Sequence, residues 1–153
     1  VADIVPREWG KFVVWLGLMP MAVSTRAATV RTLADADCGW VLVRLVREAV
    51  TLARAQGIAP AEGTAALPLS ALIDVPEQEA IATLRGIGED MRRRAPEHRM
   101  SALQDLEAGR PLEVEETFAY AVRRATQLGL SVPLLEAFHH TVAAIDRTRR
   151  GSM

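Results

Sequence analysis

From Gly39 to Ala55, the apolar residues Leu42, Leu45, Val46, Ala49, Leu52 and Ala53 recur at three- and four-residue spacings, with Arg44, Arg47, Glu48 and Arg54 falling between them. That period predicts a helix with an apolar face. Val41, Val43 and Val50 widen the face, so the helix is expected to be central and covered on more than one side. Asp35 or Asp37 is placed to cap its start and Gly57 to end it. The same period places Phe118, Ala121, Val122, Ala125 and Leu128 on one side of a helix from Glu113 to Leu128, stopped by Gly129. Pro133 opens a last helix with Leu135, Phe138, Val142 and Ile145 inward, and the tail from Arg147 to Met153 reads as solvated.

Between these lie shorter patterns. Asp74, Pro76 and Glu77 resemble an N-cap, a first-turn proline and a capping-box acid, predicting a helix to about Arg94. Arg92, Arg93 and Arg94 then fall in its last turn, where positive charge complements the helix dipole. A short helix is expected from Ser101 to Ala108, before Gly109-Arg110-Pro111. Gly57, Pro60, Gly63 and Pro68 punctuate residues 57–76 too often for a long element, so a loop with one short turn is expected there. The apolar run from Phe12 to Val23 is shorter than the roughly 20 residues needed to span a bilayer and reads as a buried core helix. No segment alternates as a strand would. The fold class expected is all-α, a single helical domain of about six helices.

Composition narrows the function classes. With 153 residues, 50% apolar and 24% charged, and a net charge of −1, this is one globular domain rather than a disordered chain. A balance so near neutral attracts neither nucleic acid nor an anionic membrane, so neither is expected as a partner. Cys38 is the single cysteine, so no intrachain disulfide marks an oxidising compartment. Asp3 and Glu8 precede the apolar run, unlike a secretory leader. A cytoplasmic location is the expectation. Among the 18 basic residues Lys11 is the sole lysine.

Several apparent motifs fail on chemistry. Gly86-Ile87-Gly88 lacks a third glycine and lies in a helical segment, so no dinucleotide phosphate would be cradled there. Glu136 and His139 have a di-iron spacing but no second such pair, and His139-His140 has no converging ligands. No metal is expected. An apolar stripe of Trp40, Val43 and Val50, if exposed, would favour an interface.

The segment from Ser101 through Gln104-Asp105 and Gly109-Arg110 to Glu113 is not generic. It resembles the signature of the C-terminal domain of ketopantoate reductases (2-dehydropantoate 2-reductases), and Gly129-Leu130-Ser131-Val132-Pro133 resembles that family's helix ending. Upstream, Trp9-Gly10-Lys11 is similar to the family's Trp-x-Lys, and Glu48 to Gly57 to its second helix. The resemblance covers about residues 3 to 146.

The resemblance implies a helical domain like the C-terminal domain of 6-phosphogluconate dehydrogenase, serving for substrate binding and dimerisation. In the family an N-terminal Rossmann domain binds NADPH and the substrate lies between the two domains. No such domain is found in residues 1–153, and Val1 to Val5 reads as the tail of an interdomain connection. NADPH is therefore expected for the full-length protein and no cofactor for this chain alone. The partners implied are a small 2-keto acid, the missing Rossmann domain and a second copy of the chain.

By the same resemblance Lys11 is the catalytic proton donor, Glu113 its catalytic partner, and Ser101 a substrate-carboxylate ligand. Where the family has asparagines, four and eight residues after the lysine, this chain has Trp15 and Met19. Those spacings share one helix face, so Trp15 and Met19 are expected to line a smaller, less polar substrate pocket. Ketopantoate itself fits such a pocket poorly, because each unpaired polar group of a substrate costs about 1 to 3 kcal/mol. The function expected is the substrate-binding domain of an NADPH-dependent 2-keto acid reductase. The alternative is a non-catalytic dimerisation or regulatory module of the same descent.

Overall fold

A computed structural model describes residues 4–63 and 65–151. Among the described residues eight α-helices follow one another: α1 Ile4–Thr25, α2 Thr29–Ala34, α3 Ala36–Ala55, α4 Ser70–Ile73, α5 Glu77–Arg94, α6 Ser101–Glu107, α7 Tyr120–Gln127 and α8 Pro133–Gly151. A π-helical turn, Glu115–Ala119, leads into α7. No strand occurs among the described residues, so the chain is all-α.

The widened apolar face of α3 has its physical counterpart in its neighbours. α3 packs against α1, α2, α4, α5, α7 and α8, and Leu42, Leu45 and Leu52 are wholly buried. Its N-cap is Asp35, whose side chain accepts from the Cys38 amide at 2.9 Å. Gly57 follows in the left-handed conformation, φ 75°, that only glycine adopts without strain. α1 crosses α3 so closely that a Cβ on Gly17 would lie 2.9 Å from Val46 Cγ2. Gly88 makes the corresponding close approach of α5 to α2, with Leu33 Cβ 3.1 Å from where its own Cβ would be. The second glycine of Gly86-Ile87-Gly88 is thus a helix-packing residue.

Three expectations change. Asp74 does not cap α5. The N-cap is Pro76, which has no side chain able to accept, while Asp74 faces Arg54 at 3.4 Å. α2 is an element the periodicity did not predict, whereas the six helices of seven or more residues and the short turn of α4 agree with expectation. α2 has no side-chain cap of its own; instead the Thr29 amide donates to the His98 carbonyl at 3.0 Å and Thr29 Oγ1 lies 2.8 Å from His98 Nδ1. A distant loop therefore supplies what local sequence lacks. Ile4 and Val5 open α1 rather than ending a connection, and residues 1–3 lie outside the described residues, as do Ser152 and Met153 of the tail. Of the Trp40, Val43 and Val50 stripe, Val43 and Val50 are buried and only Trp40 reaches the surface.

α8 is capped in trans. Val132, just ahead of Pro133, cannot accept a hydrogen bond through its side chain. Glu48 on α3 does so, accepting from the Leu134 amide at 3.0 Å and the Leu135 amide at 2.8 Å. A carboxylate at a helix N-terminus gains from both hydrogen bonds and the helix dipole. Glu48→Ala should therefore lower stability by about 1–2 kcal/mol, with Glu48→Gln between it and the parent. Urea unfolding checks this; identical midpoints for all three proteins would show that the cap contributes nothing.

Cys38 is half-buried beside Asp35. Burial first, and then the Asp35 charge, push the Cys38 thiol up to about 11. Only the thiolate is nucleophilic. Alkylation by iodoacetamide at pH 8 should consequently run at least about tenfold slower than for free cysteine, and should accelerate only as pH nears that raised value. A rate that levels off below pH 9 would contradict the burial argument.

Candidate functional site

The face of α1 that carries Lys11, Trp15 and Met19 descends from solvent into the core. Lys11 is exposed, Trp15 half-buried, and Met19 wholly buried. The apolar residues after Lys11 sink this end of the helix, while its first turns stay at the surface. Lys11 Nζ lies 3.2 Å from Glu8 Oε1, with both side chains more than half exposed. A pair this open to water contributes little and leaves the ammonium free to be recruited.

Ser101 opens α6, which packs against α1. Its approach is fixed by the link of His98 to Thr29 and by the ion pair of Arg99 with Glu107. Glu113 is exposed between buried Leu112 and Val114. The Leu112 amide donates to Asp146 Oδ1 on α8 at 3.0 Å, and the Thr117 hydroxyl donates to the Glu113 carbonyl. The backbone on both sides of Glu113 is thereby held. The π turn follows at once and brings Phe118 to Trp15 with ring centroids 6.2 Å apart; Tyr120, just beyond it, lies equally far from Phe12. α6, opened by Ser101, thus packs on the helix that carries Lys11, and the π turn after Glu113 meets that helix through Phe118 and Trp15, but no hydrogen bond or ion pair among the described residues joins Lys11 to Ser101 or Glu113.

Trp15 and Met19 form apolar ground on this face. The Trp15 ring rests on wholly buried Phe118, and no part of Met19 reaches solvent. Residues 3–146 match the family described as ketopantoate reductase PanE/ApbA, C-terminal. The chain belongs to this family. Among solved structures it is similar to a dimeric ketopantoate reductase from Staphylococcus aureus, at 21% identity and TM-score 0.70, over 97% of this chain and 45% of that one. It is also similar to a PanE/ApbA family ketopantoate reductase from Ralstonia eutropha JMP134, at 21% identity and TM-score 0.65, over 93% of this chain and 41% of that one. The chain therefore spans less than half the length of these structures, and the likeness is one of fold. No curated protein matches it.

For a ketopantoate reductase C-terminal domain, several residues with structural duties around the site carry no signal in the sequence. Asp146, Thr29 and His98 anchor the loops before Glu113 and Ser101, but each acts on a backbone distant in sequence. Arg47 likewise donates to the carbonyls of Leu72 and Val75, at 2.9 and 2.6 Å, tying α3 to the end of α4. No periodicity signals such contacts.

The remaining surface is less chemical. A cavity of about 380 Å³ lies between Trp40, Arg44, Arg47, Glu48, Pro133 and Leu134. Its polar groups are already engaged: Arg44 stacks 4.1 Å over Trp40 and pairs with Glu77, Arg47 holds carbonyls, and Glu48 caps α8. His139 and His140 stack with ring centroids 5.0 Å apart, and burial holds His139 below its usual range. Among the described residues no group of three or more metal-ligating side chains converges. No helix among them is long and apolar enough to cross a membrane. The Gly86 and Gly88 segment is the interior of α5, so its glycines do not form a phosphate-cradling turn.

Proposed function

We propose that this domain is the substrate-binding half of an NADPH-dependent reductase acting on a small 2-keto acid. The observation that supports the reading is that Lys11 is an exposed ammonium on α1, the helix against which α6, opened by Ser101, packs and whose Trp15, one turn on, meets Phe118. The nicotinamide cofactor, which supplies hydride when bound, belongs in this reading to a separate Rossmann domain. What the chain contributes is charge and a proton. As the keto carbon is reduced, negative charge grows on its oxygen, and the Lys11 ammonium stabilises that charge and then donates its proton. Glu113 holds Lys11 and the substrate in position, and the Ser101 hydroxyl binds the substrate carboxylate.

Of the two residues expected to line the pocket, Met19 is wholly buried in the core and touches no substrate, which leaves Trp15 to narrow the choice. A Trp15 packed on Phe118 offers no amide to a substrate hydroxyl, so a 2-keto acid with a short apolar side chain fits better than ketopantoate. In the full-length protein, 2-oxobutyrate and 2-oxoisovalerate should therefore be reduced with a catalytic efficiency at least about tenfold above that for ketopantoate. A preference for ketopantoate in steady-state kinetics would remove Trp15 from the pocket.

The same apolar closure favours a second reading, a non-catalytic dimerisation module. That reading predicts no 2-keto acid binding at millimolar concentration together with a stable homodimer. Calorimetry and sedimentation velocity measure the two halves separately.

A further inference from the structure

A second cavity, of about 270 Å³, opens at the start of α1 between Glu8, Trp9, Phe12, Glu116 and Tyr120. Three of its five walls are aromatic rings set at steep angles. Trp9 meets Phe12 edge-on, centroids 5.3 Å apart and planes at 80°, and Phe12 meets Tyr120 at 6.2 Å and 54°. Glu8 and Glu116, both exposed, complete the wall. Glu8 pairs with Lys11, and no hydrogen bond or ion pair engages the Glu116 carboxylate among the described residues. Tyr120 keeps 39% of its surface exposed, so the corner opens to solvent.

We propose that this corner is a binding site for a small organic cation of the alkylammonium class. The negative faces of aromatic rings attract such a cation, and Trp and Tyr do so more strongly than most side chains. The Glu116 carboxylate supplies the neutralising charge, Glu8 being already paired with Lys11, and an alkylated ammonium, poorly hydrated, loses little on leaving water. A neutral ligand of equal shape would use the rings but not the carboxylate; an anion would be repelled by both. The volume admits a head group rather than a drug-sized molecule. The site stands on different residues from the reductase reading, sharing only Glu8 as the partner of Lys11, and each survives the failure of the other.

Choline, and its uncharged isostere 3,3-dimethyl-1-butanol, are the probes. In isothermal calorimetry and amide NMR of the whole chain, choline is expected to bind saturably in the millimolar range and to shift the amides of Trp9, Phe12 and Tyr120. The isostere should bind at least about fivefold more weakly. Tyr120→Leu should weaken choline binding about tenfold while Tyr120→Phe retains it, and Glu116→Gln, an exposed substitution that leaves the fold alone, should weaken it about threefold to tenfold. Equal binding of choline and its isostere, an unchanged affinity in Glu116→Gln, or shifts confined to other residues would overturn the proposal.

Discussion

Replacing Lys11 by alanine should slow the reduction of a 2-keto acid by at least about a hundredfold in the full-length protein, because positioned general acids contribute about 10²–10⁴. The loss should fall mainly on kcat. In the proposed mechanism Lys11 acts on charge that exists only as the carbonyl is reduced, so the ground-state complex is affected less. Lys11→Arg separates the two roles of the ammonium. Guanidinium keeps the positive charge but does not release its proton at neutral pH, so arginine should recover only a small part of the rate. Steady-state kinetics on the three proteins measure this directly. Unchanged turnover in Lys11→Ala would exclude Lys11 from the mechanism.

Truncating Phe118 to alanine should give the largest loss of stability from one side chain, about 3–5 kcal/mol. Phe118 is wholly buried. Its ring supports Trp15 at 6.2 Å, and it sits in the π turn, where the backbone departs from the α-helical ladder and has fewer alternatives for filling a void. Phe118→Leu, which preserves most of the volume, should cost less than half as much. Denaturant unfolding with an unchanged slope gives both values. A loss under about 1 kcal/mol in Phe118→Ala would mean that the α1 and π-turn contact collapses freely onto the space, and Trp15 would then have no fixed backing.

The central helices are legible in the sequence because burial imposes a period that local composition records. α3 illustrates this: its apolar positions, its Asp35 cap and its Gly57 terminus all appear in the chain as they act in the fold. α2 is not legible, since Thr29 is capped by His98 from a loop 69 residues away. The start of α5 departs from expectation for a related reason. Asp74 has the right chemistry for a cap, but the turn at Val75-Pro76 is held by Arg47, which takes the Leu72 and Val75 carbonyls, and Asp74 is left facing Arg54.

The candidate site divides along the same line. Lys11, Ser101 and Glu113 are visible only through the motif they belong to, because an exposed polar residue leaves no hydrophobic signature. Their supports are not visible at all. Asp146 reads as one more charge on a terminal helix until it is found buried against the Leu112 amide. Glu48 shows the converse: its position within the family-like second helix is evident, while its duty as the cap of α8 emerges only in the fold.

Whether this domain serves the reduction of a 2-keto acid, with Lys11 as the proton donor, is decided most directly by NADPH oxidation in the full-length protein, followed by absorbance. The substrates 2-oxobutyrate, 2-oxoisovalerate and ketopantoate are compared in parallel. Oxidation should depend on the 2-keto acid, favour the short apolar substrates and collapse in Lys11→Ala. Absence of turnover with every 2-keto acid, in a folded protein that binds NADPH, would refute the reductase reading.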